Sequence, residues 1–511
     1  MLAIFPILLA VTMLLAATWP LGSLLANHPF RRTFPKVAIG LILALAFYAA
    51  AVALVAIFAP RITIGLAAVV AVGVIAQIWR ARPNFGHRRG LPPGSLALAP
   101  VEAWLDQSFY EKRAQLHGPV FKASHFFHPM VCVIGLDRGL ELLRTYEDEA
   151  LRAPEAAFAR FVPCSFVRSM SPENHRKYRP ILQAAVSSEV TDLAAPAIRT
   201  AIVRGLDAMA EACRANRSGQ SLASYSQDAL YELQFGLFFG IAPGSVEHQT
   251  FRQRYRVIDL SHQRRSTVPW SPSHRAVLQA LRETKASLLQ RIEGFPANGD
   301  RPPVTYLEAA WRHGGLEALD DVVLTNLIYM VQVTCADLGG LFQWLLKKLS
   351  DHPEWAVLLQ EVIREQGEDS TAATDLAERI LAESLRMEQS EHIYRKVIKP
   401  IQFQGFRIPQ GWLLRICVRE SHRGSAAFTD SQTFNPDRFL NRTYGPTEYS
   451  PFGLFRKRCI GVQATKSIAG MFLKVLVKGY QWQVTDAGSP DFRGWHWTPG
   501  ETFAIALQKR S

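Results

Sequence analysis

One cysteine in this chain stands in a loop suited to keeping a thiol ionised. Cys459 ends the basic run Arg456-Lys457-Arg458 within Pro451-Phe452-Gly453-Leu454-Phe455-Arg456-Lys457-Arg458-Cys459-Ile460-Gly461, and a helix-forming segment follows. A thiol ligates metal as its anion, so neighbouring positive charge and backbone donors that lower its pKa favour ligation. Gly461 lets the turn pass close to a flat group. Read alone, the loop also fits a cysteine that packs as a small apolar side chain. The six cysteines, Cys132, Cys164, Cys213, Cys335, Cys417 and Cys459, show no Cys-x-x-Cys metal spacing. A reduced compartment fits them, and Cys335 and Cys417 read as packing residues.

Other charges help to place this loop. Glu383 and Arg386 lie in a helical stretch from Asp375 to Met387, where i, i+3 spacing puts both on one face. Phe434-Asn435-Pro436-Asp437-Arg438-Phe439 then brings Arg438 just ahead of the cysteine loop. The glutamate and arginine, the Pro-Asp-Arg-Phe segment and the cysteine loop, in that order, resemble the cytochrome P-450 family of haem-thiolate oxygenases over roughly residues 90 to 511. The resemblance implies a mainly α fold with small β-sheets (α+β) and haem b with Cys459 as axial thiolate. It implies that Glu383, Arg386 and Arg438 form an ion-pair cluster locking the core beside the thiolate loop. Leu91-Pro92-Pro93-Gly94 is similar to the hinge of membrane-bound members, and Gly118 to Lys122 and Val131 to Gly135 read as opening strands. His175 and Arg179, with Arg395, look like donors to haem propionates. Phe452, Lys457, Arg458 and Gly461 complete the expected cofactor contacts.

The chain departs from the family pattern in two places. Phe455 stands where glycine is usual, and phenylalanine takes positive φ only with strain, so the loop is expected to bend differently there. Lys457 stands for arginine, keeping the charge without the bidentate fork; Arg456 or Arg458 could take over its propionate. The second departure is in the apolar helix expected over Asn326 to Leu346, a core helix by its all-round hydrophobicity. Counting back from Asp351-His352-Pro353-Glu354, the family's usual acid falls on Ala336 and its threonine on Asp337. Asp337, with Thr334 one turn earlier, is expected to replace that pair as a catalytic proton relay. A buried aspartate paired with a distant arginine, or protonated, is the competing reading. Gly339-Gly340 would permit a kink or close helix packing.

Ahead of the hinge, Leu2 to Ala26, Val37 to Ala59 and Ile62 to Trp79 are apolar runs, each long enough to cross a bilayer core of about 30 Å. They imply an N-terminal transmembrane helical segment over residues 1–89, followed by the catalytic domain over 90–511. Arg31, Arg32 and Lys36 in the first loop, and Arg80, Arg82, Arg88 and Arg89 after the third run, belong on the cytoplasmic side. A multi-pass membrane protein with a cytoplasmic catalytic domain follows. The formal net charge of +13 comes without a nucleic-acid recognition motif; it suits an anionic membrane surface or an acidic electron donor. Phe239 to Arg275, rich in arginine, corresponds by order to the family's substrate-entry region, where its arginines could touch lipid headgroups. Gly314-Gly315 and Pro296 to Asp300 read as loops between helices.

The resemblance thus implies a membrane-bound haem monooxygenase, an iron-dependent oxidoreductase that hydroxylates or otherwise oxidises a hydrophobic small molecule in a biosynthetic pathway. A ferredoxin with its reductase, or a flavoprotein reductase, would supply electrons. The missing acid and alcohol pair leaves two rivals. One is a peroxygenase, dehydratase or rearrangement enzyme of the same cofactor; the other is a non-catalytic membrane scaffold or ligand-binding subunit.

Overall fold

A computed structural model describes residues 90–96, 106–125, 128–216, 222–295, 301–388, 393–493, 496–500 and 502–510, with 65, 103 and 220. The three apolar runs and the loop expected at Pro296 to Asp300 lie outside the described residues, Gly65 and its helical backbone excepted.

In chain order come α1 (Phe109–His117), β1 (Val120–His125), β2 (His128–Val133), α2 (Leu136–Tyr146) and β3 (Leu151–Arg152). Helices α3 (Pro172–Ala185), α4 (Ser188–Leu193), α5 (Ala195–Asn216), α6 (Leu222–Phe239), α7 (Val246–Ile258) and α8 (Pro272–Glu293) follow. Next are α9 (Tyr306–Ala318), α10 (Asp321–Asp351), α11 (Pro353–Gln366), α12 (Thr371–Met387), β4 (Ile393–Val397), β5 (Ile401–Phe403), β6 (Phe406–Ile408) and β7 (Leu413–Ile416). The chain closes with α13 (Val418–Arg423), α14 (Val462–Gly479), β8 (Tyr480–Asp486), β9 (Asp491–Arg493), β10 (His496–Thr498) and β11 (Ala504–Lys509). Among the described residues helix accounts for 60% and strand for 12%, which makes the fold mainly α with small sheets, as expected.

The chain divides into two compact units, residues 1–133 with 400–414, and 134–399 with 415–511. In the first, β1 and β2 pair antiparallel with Val120 opposite Val133, and β5 and β6 form a hairpin with Ile401 opposite Ile408. The hinge is anchored here: buried Lys122 donates to the Pro92 carbonyl at 2.9 Å. In the second unit, β3 pairs with β4, β8 with β11, and β9 with β10.

The second unit is organised on α10. Its N-terminus is set by Asp320, whose carboxylate accepts from the Val322 and Val323 amides at 3.0 Å and so satisfies two otherwise unpartnered helix donors. Its end is set by Pro353, which cannot continue a helix. Between them the residues are apolar on every side, so the helix packs against α3, α6, α12 and α14. The Phe342 and Phe472 rings stack 4.0 Å apart between α10 and α14. Among the described residues, α10 is the one helix long and apolar enough to cross a membrane, and 78% of its apolar window is buried inside the protein; it is the core helix. No kink forms at Gly339-Gly340, both of which are buried within the continuous helix. At Gly314-Gly315 the expected loop is replaced by a break inside α9, where Gly315 takes φ 71°.

Candidate functional site

Cys459 lies two positions before Gly461, the N-cap of α14. Its amide donates to the Phe452 carbonyl at 2.9 Å, closing the loop so that its side chain and Phe452 line one cavity. The positive end of the α14 dipole and the basic run both favour a thiolate there. Phe455 adopts φ 58°. The expectation that the loop bends differently is therefore wrong: the backbone keeps the left-handed turn, and the phenylalanine bears the strain. Gly461 has φ −89°, so its use is not a special backbone conformation. A Cβ there would lie 3.9 Å from Cys459 Sγ, so the missing side chain leaves the surroundings of the sulphur open.

From α10, Thr334 and Asp337 line the same cavity together with Val333, Leu338 and Leu341. The helix period explains this set, since i, i+3, i+4 and i+7 fall on one face. Both candidate relay residues thus reach the chamber that holds the cysteine. It contains about 1260 Å³ of atom-free space, open solvent at its mouth included.

The expected propionate donors divide among three adjoining cavities. Arg179 and Arg458 line the large one. Arg179 donates to the Arg458 carbonyl at 2.9 Å; burial lowers its pKa, opposed by its attraction to Cys459. His175 lines a small neighbouring cavity, is buried, and has an Nε2 without a hydrogen-bond partner among the described residues. Burial, with Lys457, Arg179, Arg395 and Arg456 nearby, pushes its pKa down to about 4. Arg395 lines a third cavity with Arg168. It is not an uncommitted donor: its Nε lies 2.7 and 3.0 Å from the Glu147 carboxylate oxygens, and both residues are buried. Lys457 borders all three cavities. Its Nζ donates to the Met170 carbonyl at 3.2 Å and lies 3.9 Å from Glu147, while burial and then Arg395 lower its pKa to about 8. Arg456 pairs with Asp148, which leaves Lys457 and Arg458 at the large cavity.

These residues fit haem. An unsatisfied buried imidazole nitrogen and a group of crowded cations suit carboxylates, beside a cysteine in an apolar chamber.

Glu383, Arg386 and Arg438 come together behind the loop. Arg386 grips Glu383 through two bonds of 2.7 and 2.8 Å, with both side chains fully buried. Arg438 Nε lies 3.3 Å from Glu383 Oε1, which also accepts from the Asn435 amide at 2.9 Å. The segment after α12 is thereby tied to that helix.

The entry-region arginines are largely engaged within the protein. Arg252 pairs with Asp228 at 2.8 Å and lies 4.1 Å over the Tyr231 ring, and Arg254 donates to Ser287 at 2.9 Å. Sequence reasoning missed Glu147, one of three consecutive acidic residues, Glu147-Asp148-Glu149. It also missed Gln234, a lone amide in an apolar stretch of α6, which lines the large cavity.

A family model described as Cytochrome P450 matches residues 342–496. Abscisic acid 8'-hydroxylase 2 of Oryza sativa subsp. indica is 26% identical over 450 residues, covering 78% of this chain and 82% of its own. Abscisic acid 8'-hydroxylase 3 of the same subspecies is 23% identical over 439 residues, covering 80% and 84%. Among solved structures, a retinoic acid-bound cyanobacterial CYP120A1 matches with a TM-score of 0.66 at 20% identity, over 82% of this chain and 99% of the other. This likeness is one of fold.

Proposed function

The chain belongs to the cytochrome P450 family and is a haem-dependent monooxygenase with cysteine thiolate ligation, and from that premise we propose that it hydroxylates or similarly oxidises a hydrophobic small molecule in a biosynthetic pathway. The observation that carries this reading is a single, largely apolar cavity bordered by Cys459 and by Thr334 and Asp337 of α10. The similar curated proteins point the same way, since their names make them hydroxylases of a small organic molecule, abscisic acid.

In this reading Cys459 is the iron ligand. Arg179, Lys457 and Arg458 would receive propionates, with His175 and Arg395 beside them, and Phe452 and Gly461 would border the macrocycle. Bound haem supplies dioxygen activation, favoured by electron density from the thiolate. Asp337 holds and passes a proton from α10, and Thr334, on the same helical face, supports it as a hydroxyl donor. The apolar side chains exclude bulk water. The basic surface of the loop suits an acidic ferredoxin, or a flavoprotein reductase, as electron donor. The apolar runs before residue 90 hold the enzyme in a membrane as a multi-pass protein, with the catalytic domain on the cytoplasmic side.

The test is to supply the detergent-extracted, haem-loaded chain with NADPH, ferredoxin and ferredoxin reductase under isotopically heavy dioxygen, with a panel of apolar small molecules. A product carrying one heavy oxygen atom is expected. Turnover with peroxide alone, and none with dioxygen and reductant, would replace this reading with the peroxygenase one suggested by the absent acid and alcohol pair.

A further inference from the structure

Gln234 sits within α6 and has a relative exposure of 0%. Neither its Oε1 nor its Nε2 has a hydrogen-bond partner among the described residues, and the residue lines the cavity that contains Cys459. Leu237 and Phe238 from the same helix, and Met330 and Val333 from α10, border that cavity too. The Tyr306 hydroxyl, on the same lining, is already bonded to Thr191 at 2.7 Å. A primary amide stranded in such surroundings is destabilising unless a partner arrives. The partner with access is the molecule that fills the cavity.

We propose that Gln234 is a specificity-determining residue that hydrogen-bonds a neutral oxygen, hydroxyl or carbonyl, on an otherwise apolar substrate. The inference rests on the monooxygenase reading, which makes this cavity the substrate chamber. An amide carries no charge, so it stabilises a buried hydroxyl or ketone far better than a buried carboxylate. The cations bordering the chamber belong to the thiolate-loop side: Arg168 and Lys457 also line the cavity with Arg395, and Arg179 is bonded to Arg458. Gln234 is thus placed to orient the polar end of a substrate while its apolar part occupies the rest of the chamber.

The test titrates the haem-loaded full chain with dodecane, dodecan-1-ol, dodecan-2-one and dodecanoate, reading binding by calorimetry. Wild type should bind the alcohol and the ketone about tenfold more tightly than dodecane or dodecanoate. Gln234→Met, close in shape but without the amide, should bind all four within about twofold of one another, with its reduced, carbon monoxide-bound band intact. Gln234→Glu, which can still accept a hydrogen bond, should keep more of the preference for the alcohol than for the ketone. A wild type that shows no preference for the neutral oxygen, or that binds dodecanoate most tightly, overturns the proposal, as does a preference that survives in Gln234→Met. Should either variant lose haem, the wild-type preferences alone decide. Failure of the monooxygenase reading is separate: it appears as a missing thiolate band in the wild type.

Discussion

Phe455 holds a backbone conformation that costs most L-residues about 1–2 kcal/mol, at φ 58°, and its ring is 5.1 Å from the Arg456 guanidinium. Phe455→Gly and Phe455→Ala both lose the ring, but only glycine removes the strain. Phe455→Gly should therefore be the more stable of the two by about 1 kcal/mol in urea unfolding; equal stabilities would show that the turn is unstrained. His175 gives a pH dependence. Its folded pKa of about 4 lies below the ordinary 6.5, so between those values the unfolded chain binds more protons, and stability rises with pH across the window. Between pH 6.5 and 4 the haem-free wild type should lose more stability than His175→Asn. At this scale placement was legible where type and order carry it: Cys459 and Arg179 border one cavity, and Glu383 pairs with Arg386. The sequence was misleading where a backbone conformation normally given to glycine is imposed by surrounding contacts, as at Phe455. It was silent where a partner comes from a distant segment, as Glu147 does for Arg395.

At the scale of elements, α10 and α12 carry the account. The Glu383 and Arg386 pair lies fully buried between α12 and the segment that bears Arg438. Arg386→Met would leave a carboxylate buried without its main partner, at a cost of about 3–5 kcal/mol. Urea unfolding and haem retention should both register the loss; a neutral effect would mean that the cluster is dispensable. On α10, Asp337→Asn should lower dioxygen-dependent turnover by about 100-fold or more, the range of a positioned proton donor, and divert NADPH oxidation from product. Unchanged product yield per NADPH would remove Asp337 from the relay. The helix itself was legible, because a long apolar run between Asp320 and Pro353 has few other fates. Its cavity-facing side was not, since counting back along a family pattern put Ala336 and Asp337 at the acid and threonine positions without showing which side chains face the cavity. The positions that line the cavity place Thr334 and Asp337 on one stripe.

For the whole molecule, the mainly α architecture followed from motif order along the chain, whereas the division into two compact units had no marker in composition. Residues 1–89 lie outside the described structure except for Gly65, and their role stands on hydropathy and charge. Protease added to sealed inverted membrane vesicles should digest the catalytic domain without detergent; protection of that domain would reverse the orientation. The central claim is that Cys459 ligates haem in this chain despite Phe455 and Lys457. Its most direct test is the reduced, carbon monoxide-bound difference spectrum of the detergent-extracted full-length protein, with Cys459→Ser beside it. The account predicts the red-shifted thiolate band in the wild type and its loss in the variant, and a band that is absent from the wild type or unchanged in Cys459→Ser would contradict it.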